Sequence, residues 1–127
     1  MKNRCLYCCK PTGENIDFHE KCSKAFFGTS TPPAIEYSLD QMGELAKNVV
    51  ERSVSVPGVQ PKLSMSLVNK KRDAPKSRLT VVGALEGQYI FKPPSDRFPE
   101  MPQNEHVTMR IAESFGIQVV PSSLIRL

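Results

Sequence analysis

Between Ser38 and Arg52 the apolar residues Leu39, Met42, Leu45, Ala46, Val49 and Val50 recur every three or four positions. Glu44, Lys47, Asn48 and Glu51 fill the gaps. That period predicts an amphipathic helix over 38–52, with its stripe used for packing. Ser38, with Gln41 three residues on, forms a capping box at its start. Pro57 and Gly58 forbid its continuation. The pattern then changes to alternation. LSMSLV (63–68), LTVVGAL (79–85) and QYIFK (88–92) read as strands, and Glu86-Gly87 reads as a hairpin-like pair. KKRDAPKSR (70–78) is a basic, solvated connection, and PPSDRFPEMP (93–102) a proline-rich excursion. Helical spacing returns at 104–115, where Val107, Ile111, Ala112 and Phe115 share a face and Gly116 follows as a C-cap. IQVVPSSLIRL closes the chain as a strand. The expected class is α+β, an antiparallel sheet with a packed helix, preceded by a short Cys-rich segment and a helix.

Residues 1–36 break both patterns. They are short, irregular and rich in Cys and Pro, and TPP (31–33) reads as an extended linker to the part from 37 to 127. Cys5 and Cys8 make a C-x2-C pair, and His19 and Cys22 an H-x2-C pair. Three thiolates and an imidazole have the type and number of a closed, structural Zn2+ site, with PTGEN as the turn joining the pairs. Buried thiols beside a surface histidine are the plainer alternative, and Cys9 is a spare.

Composition narrows the classes. The chain has 127 residues, 39% hydrophobic and 24% charged, which fits about one globular domain. A net charge of +4 favours anionic partners. The lack of Trp and 7% aromatic content speak against an aromatic nucleic-acid platform. No run approaches the ~18 apolar residues of a membrane span. MKNRCLYCCK has no apolar signal core, so a cytoplasmic protein is expected, with thiols or metal ligands rather than disulfides.

The segment SVSVPGVQPKLSMSL (53–67) sets serines, a Pro-Gly step and a lysine before the first strand. Gly58 allows close approach of backbone to a ligand. Hydroxyls and backbone N–H groups in such a turn suit an anion, and Lys62 adds a charge. Lys92 follows in YIFKPP, on the strand face opposite Tyr89 and Phe91, and Glu105 lies at the start of the second helix. A loop over phosphates, a strand lysine and a helix glutamate form the layout of a kinase N-lobe. The spelling lacks G-x-G-x-x-G and V-A-I-K. A turn glycine, a surface lysine and a glutamate favoured by the helix dipole would explain the same residues.

S-V-S-V-P-G-V-Q-P-K-L-S (53–64), G-Q-Y-I-F-K-P-P (87–94) and N-E-H-V-T-M-R-I-A-E-S-F-G-I (104–117) together resemble the HipA family of bacterial toxin kinases, closest to its HipT-type members. The resemblance implies an ATP-binding N-lobe of a serine/threonine kinase of a toxin–antitoxin system. It assigns Gly58, Val59, Gln60 and Lys62 to the phosphate-covering loop, Lys92 to the ATP phosphates and Glu105 to the lysine. It makes Ser55 and Ser53 sites of autophosphorylation. Implied partners are a kinase C-lobe or split-kinase partner, antitoxins of the HipB or HipS type, and an aminoacyl-tRNA synthetase as substrate. Membrane and direct DNA contact are not expected. The departure from the family is large. No catalytic-loop Asp-Asn arrangement appears, Asp73 and Asp96 sit in poor contexts, and Asp17 and Asp40 are far from the motifs, so no catalytic residue is assigned here. The ligands of Mg2+ are expected in a C-lobe, and the chain reads as an N-lobe alone. Two alternatives remain open. One is a non-catalytic lobe acting as a regulatory, antitoxin-like module. The other is a zinc-knuckle nucleic-acid binder using Lys2, Arg4, Lys10 and the 70–78 loop.

Overall fold

The computed structural model describes residues 3–52, 62–68, 77–81 and 87–127, without the side chains of Ala46, Lys47, Val49, Val50, Glu51, Arg52 and Val81. The chain divides into two compact units, one of residues 1–32 with 100–126, the other of residues 33–99 with Leu127.

The second unit is a four-stranded mixed sheet with a helix. Its elements are β1 (Ala34–Ile35), α2 (Leu39–Arg52), β2 (Leu63–Val68), β3 (Arg78–Val81) and β4 (Tyr89–Phe91). The helix α1 (Glu20–Phe27) that precedes them in the chain belongs to the other unit. The strand order is β1-β3-β2-β4. β2 is antiparallel to both β3 and β4, and β1 runs parallel to β3. The helix over 38–52 forms as its period predicts. Ser38 Oγ accepts from the Gln41 N–H at 3.2 Å, while the Ser38 N–H donates to Gln41 Oε1 at 2.9 Å. Those bonds satisfy two groups that a bare helix end would leave unpaired. The alternation of LSMSLV is equally direct, since Leu63 and Met65 are fully buried and the residues between them are not. α2 packs on β2 and contributes Met42, which is also fully buried. Burial of each such side chain stabilises by about 1.5–3 kcal/mol.

One strand expectation needs correction here. Glu86-Gly87 does not join a hairpin of neighbouring strands, because β4 pairs with β2 and not with β3. The Gly87 N–H instead donates to Ser64 Oγ at 2.7 Å. A Cβ there would stand 2.6 Å from the Met65 backbone nitrogen. The glycine is required by close approach to β2, a property that resembles a turn signal in the sequence. The last part of the 79–85 segment, residues 82–85, lies outside the described residues, as does Glu86.

The first unit is built from both ends of the chain. Residues 3–12 fold back on themselves. The Cys5 N–H donates to the Lys10 carbonyl and the Thr12 N–H to that of Asn3, each at 2.9 Å. Cys9 turns the chain with φ 61°, a left-handed conformation uncommon outside glycine. The stretch expected to be irregular also contains α1 (Glu20–Phe27), with His19 as N-cap and Gly28, at φ 76°, as C-cap. Phe18 and Phe27 are buried and meet edge to face at 5.6 Å between ring centroids. α3 (Met101–Ser114) starts three residues earlier than its apolar spacing predicts. Pro102 lies in its first turn, where the missing N–H costs no bond. The closing segment is not a strand. After Gly116 it runs back along the start of the chain, and the Leu124 N–H donates to the Leu6 carbonyl at 2.9 Å. Arg126 grips both carboxylate oxygens of Asp17 at 2.9–3.2 Å.

Candidate functional site

The register of the second unit fixes the ends of the motif segments. Leu63 and Phe91 are the terminal pair of the β2–β4 ladder. Lys62 enters that pair and Lys92 leaves it, so the antiparallel geometry brings both lysines out at one end of the sheet. Lys62 is exposed and Lys92 half-buried. The segment that leads into Lys62 carries Ser53, Ser55, Gly58, Val59 and Gln60, all of which lie outside the described residues. Glu105 stands in the first half of α3 and is half-buried. It belongs to the first unit and Lys92 to the second. Among the acids set aside in the sequence, Asp17 is taken by Arg126, and Asp40 and Asp96 are exposed. Asp73 lies outside the described residues.

The first unit gathers the other candidate residues. Cys5, Cys8, His19 and Cys22 bring their four ligand atoms within 4.8 Å of one another. Cys5 and Cys8 come from the turn of the fold-back, and His19 and Cys22 from the N-cap and first turn of α1. Nδ1 of His19 lies 3.4 Å from the Cys8 sulfur and 3.7 Å from that of Cys22. Nε2 of His19 is 3.0 Å from the Pro11 carbonyl. A carbonyl only accepts, so Nε2 carries the hydrogen and Nδ1 presents its lone pair to the sulfurs. All four thiols are unbridged. Burial pushes the Cys5 thiol up, but the backbone N–H groups of Cys8, His19 and Tyr7 outweigh it and bring it to about 6. Burial, followed by hydrogen bonds and charge from Cys8 and Cys5, pushes Cys22 up to about 12. Cys9 lies outside the set and serves the turn through its backbone.

Sequence reasoning missed His106. This residue is 2% exposed, with Nε2 3.1 Å from the Tyr7 carbonyl and Nδ1 2.9 Å from Ser122 Oγ. Burial holds its pKa below the ordinary value, the Arg110 charge adds to this, and the Tyr7 carbonyl opposes it. Arg110 lies over the Tyr7 ring, 5.5 Å from its centroid. Helix α3 thus holds Tyr7 by both carbonyl and ring, and Tyr7 sits between Cys5 and Cys8. Only its position on a helix, four places before Arg110, hinted at this, because Tyr7 is 99 residues away in the chain.

The HipA-like C-terminal domain matches residues 54–127, more than half of the chain. The chain belongs to the HipA-like family. A relative from Haemophilus influenzae named "Putative kinase" is 31% identical over 75 residues, 59% of this chain and 20% of its own length. The chain therefore spans about a fifth of that curated relative. The HipA-like match takes in Lys62, Lys92 and Glu105, and starts between Ser53 and Ser55. The cysteine cluster lies before it. Among the described residues no helix is long and apolar enough to cross a membrane.

Proposed function

We propose that this HipA-like, kinase-like chain supplies the ATP-phosphate-binding part of a serine/threonine protein kinase of a toxin–antitoxin system. The observation that carries the reading is the emergence of Lys62 and Lys92 at one end of the β2–β4 ladder, with Gly58 four residues before Lys62 in the sequence. In this reading Lys92 holds phosphate oxygens, Glu105 orients it, and the backbone of Gly58, Val59 and Gln60 lies over the phosphates. ATP with Mg2+ supplies the phosphoryl group. Ser55 and Ser53 are its acceptors within the chain. Each phosphate adds about −1.5 to −2 charges beside the nucleotide and so acts as an off-switch. HipB- or HipS-type antitoxins and an aminoacyl-tRNA synthetase as substrate belong to the same proposal. Support comes from the family and from the relative's name.

The test is incubation of the intact kinase, this chain together with the expected C-lobe, with ATP, with phosphate located by mass spectrometry. Lys92→Ala is expected to lower autophosphorylation by about 10²–10³ with the fold intact by circular dichroism. Full activity in Lys92→Ala overturns the role of the lysine. A Ser53→Ala, Ser55→Ala double variant should stay active and resist self-silencing, and phosphate found only elsewhere removes the switch. Nucleotide binding without any transfer selects the non-catalytic, regulatory lobe.

A further inference from the structure

Among the described residues, the first unit gathers a cluster of coordinating side-chain atoms. We propose that Cys5, Cys8, His19 and Cys22 hold one zinc ion as a closed structural site, and that this ion fixes the turn on which helix α3 is seated. The inference rests on the first unit alone and stands whether or not the chain binds ATP.

Distances support the metal. Zinc with Zn–S near 2.3 Å and Zn–N near 2.0–2.1 Å at the tetrahedral angle separates sulfur from nitrogen by about 3.5–3.6 Å. The observed Nδ1–sulfur distances of 3.4 and 3.7 Å lie on either side of that value. The hydrogen bond from His19 Nε2 to Pro11 fixes the tautomer a metal requires, in the way ligating histidines are usually held by a carbonyl. Three soft thiolates and one imidazole select zinc over oxygen-seeking cations. On binding, the three thiols pass their protons to solvent and Nδ1 donates its lone pair, leaving a site with a charge of about −1 at the start of α1, where the helix dipole favours it. Four protein ligands leave no position for a substrate, so the role is structural.

The second half follows from Tyr7. The metal would tie together Cys5 and Cys8, the residues on either side of the Leu6-Tyr7 pair, and anchor them to α1. His106 and Arg110 of α3 hold the Tyr7 carbonyl and ring, and the Leu6 carbonyl accepts from Leu124. Release of the ion would free the turn and, with it, the seat of α3.

The full-length protein, purified without chelator, should contain about one zinc per chain by mass spectrometry of the metal and no iron. Cobalt exchanged into the parent protein should give the visible absorption of a tetrahedral thiolate site, a readout that needs no variant to fold. Cys9→Ser should keep the metal and Cys22→Ser should lose it. Chelation should speed amide exchange in α3 around His106–Arg110 by at least about tenfold, with recovery on adding zinc. His106→Gln should keep the zinc and still speed that exchange. Less than about a tenth of an equivalent of zinc in folded protein overturns the site. A loaded site whose removal leaves α3 exchange unchanged overturns its role as the seat of the helix.

Discussion

At Gly87 one hydrogen atom separates a folded sheet from a clash. The glycine brings its N–H to Ser64 and leaves no room for a Cβ beside the Met65 backbone. Gly87→Ala must displace backbone rather than a side-chain tip, and should destabilise the protein by about 1–3 kcal/mol in a urea titration. An unchanged midpoint would show that β4 does not approach β2 so closely. His106 gives a pH signature. Its pKa is lowered in the folded state, so the unfolded chain takes up a proton more readily. Its stabilising contribution is complete above the unfolded value of about 6.5 and is lost as pH falls below it. The parent should therefore lose stability faster than His106→Gln on acidification below about pH 6.5. Parallel curves in urea midpoints would exclude the effect. All other residues are common to both proteins, so the difference between the curves isolates the histidine.

Each helix reports a different balance of local and distant forces. α2 is locally specified, since the reciprocal Ser38–Gln41 bonds and the apolar stripe agree with each other. Ser38→Ala should cost about 1 kcal/mol, read from thermal unfolding, and Ser38→Asp should recover most of it. α3 is not so specified. Its apolar spacing marks Val107, Ile111 and Phe115 as the packing face, yet all three are exposed, Phe115 by 80%. The face that packs within its unit carries His106 and Arg110. Polar groups with a carbonyl, a hydroxyl and a ring to meet outweigh the apolar stripe. β4 shows the same priority, because its position beside β2 is set by Gly87 and Ser64 and not by the nearest strand in sequence.

For the molecule as a whole, the exposed apolar residues form the main liability. Ile90 in the second unit and Phe115, Ile117 and Val120 in the first are each more than half exposed. Single exposed apolar residues are ordinary, but several large ones in 127 residues leave much oily surface in water. The chain should bind a hydrophobic dye strongly. Phe115→Ser with Ile111→Ser should cut the dye signal by about half and shift thermal unfolding little, since neither side chain is buried. Undiminished dye binding would place the apolar surface elsewhere. The HipA-like match, residues 54–127, takes part of each unit, whereas the Cys/His segment lies outside it. Zinc content and phosphoryl transfer are therefore separable measurements.

Periodicity by itself determined α2, the alternation of β2 and the α+β class, because these follow from which side chains avoid water within one short segment. Ligand types and spacing were enough to mark Cys5, Cys8, His19 and Cys22, since a C-x2-C turn and an H-x2-C first turn are local geometries. The loop, lysine and glutamate motifs marked the family. Tertiary structure decided everything that joins distant segments. It placed β2 between β3 and β4, turned the closing segment back to Leu6, and gave His106 its partner at Tyr7. Those contacts depend on hydrogen bonds between residues up to 118 positions apart, and no local period encodes which buried carbonyl a given donor will meet.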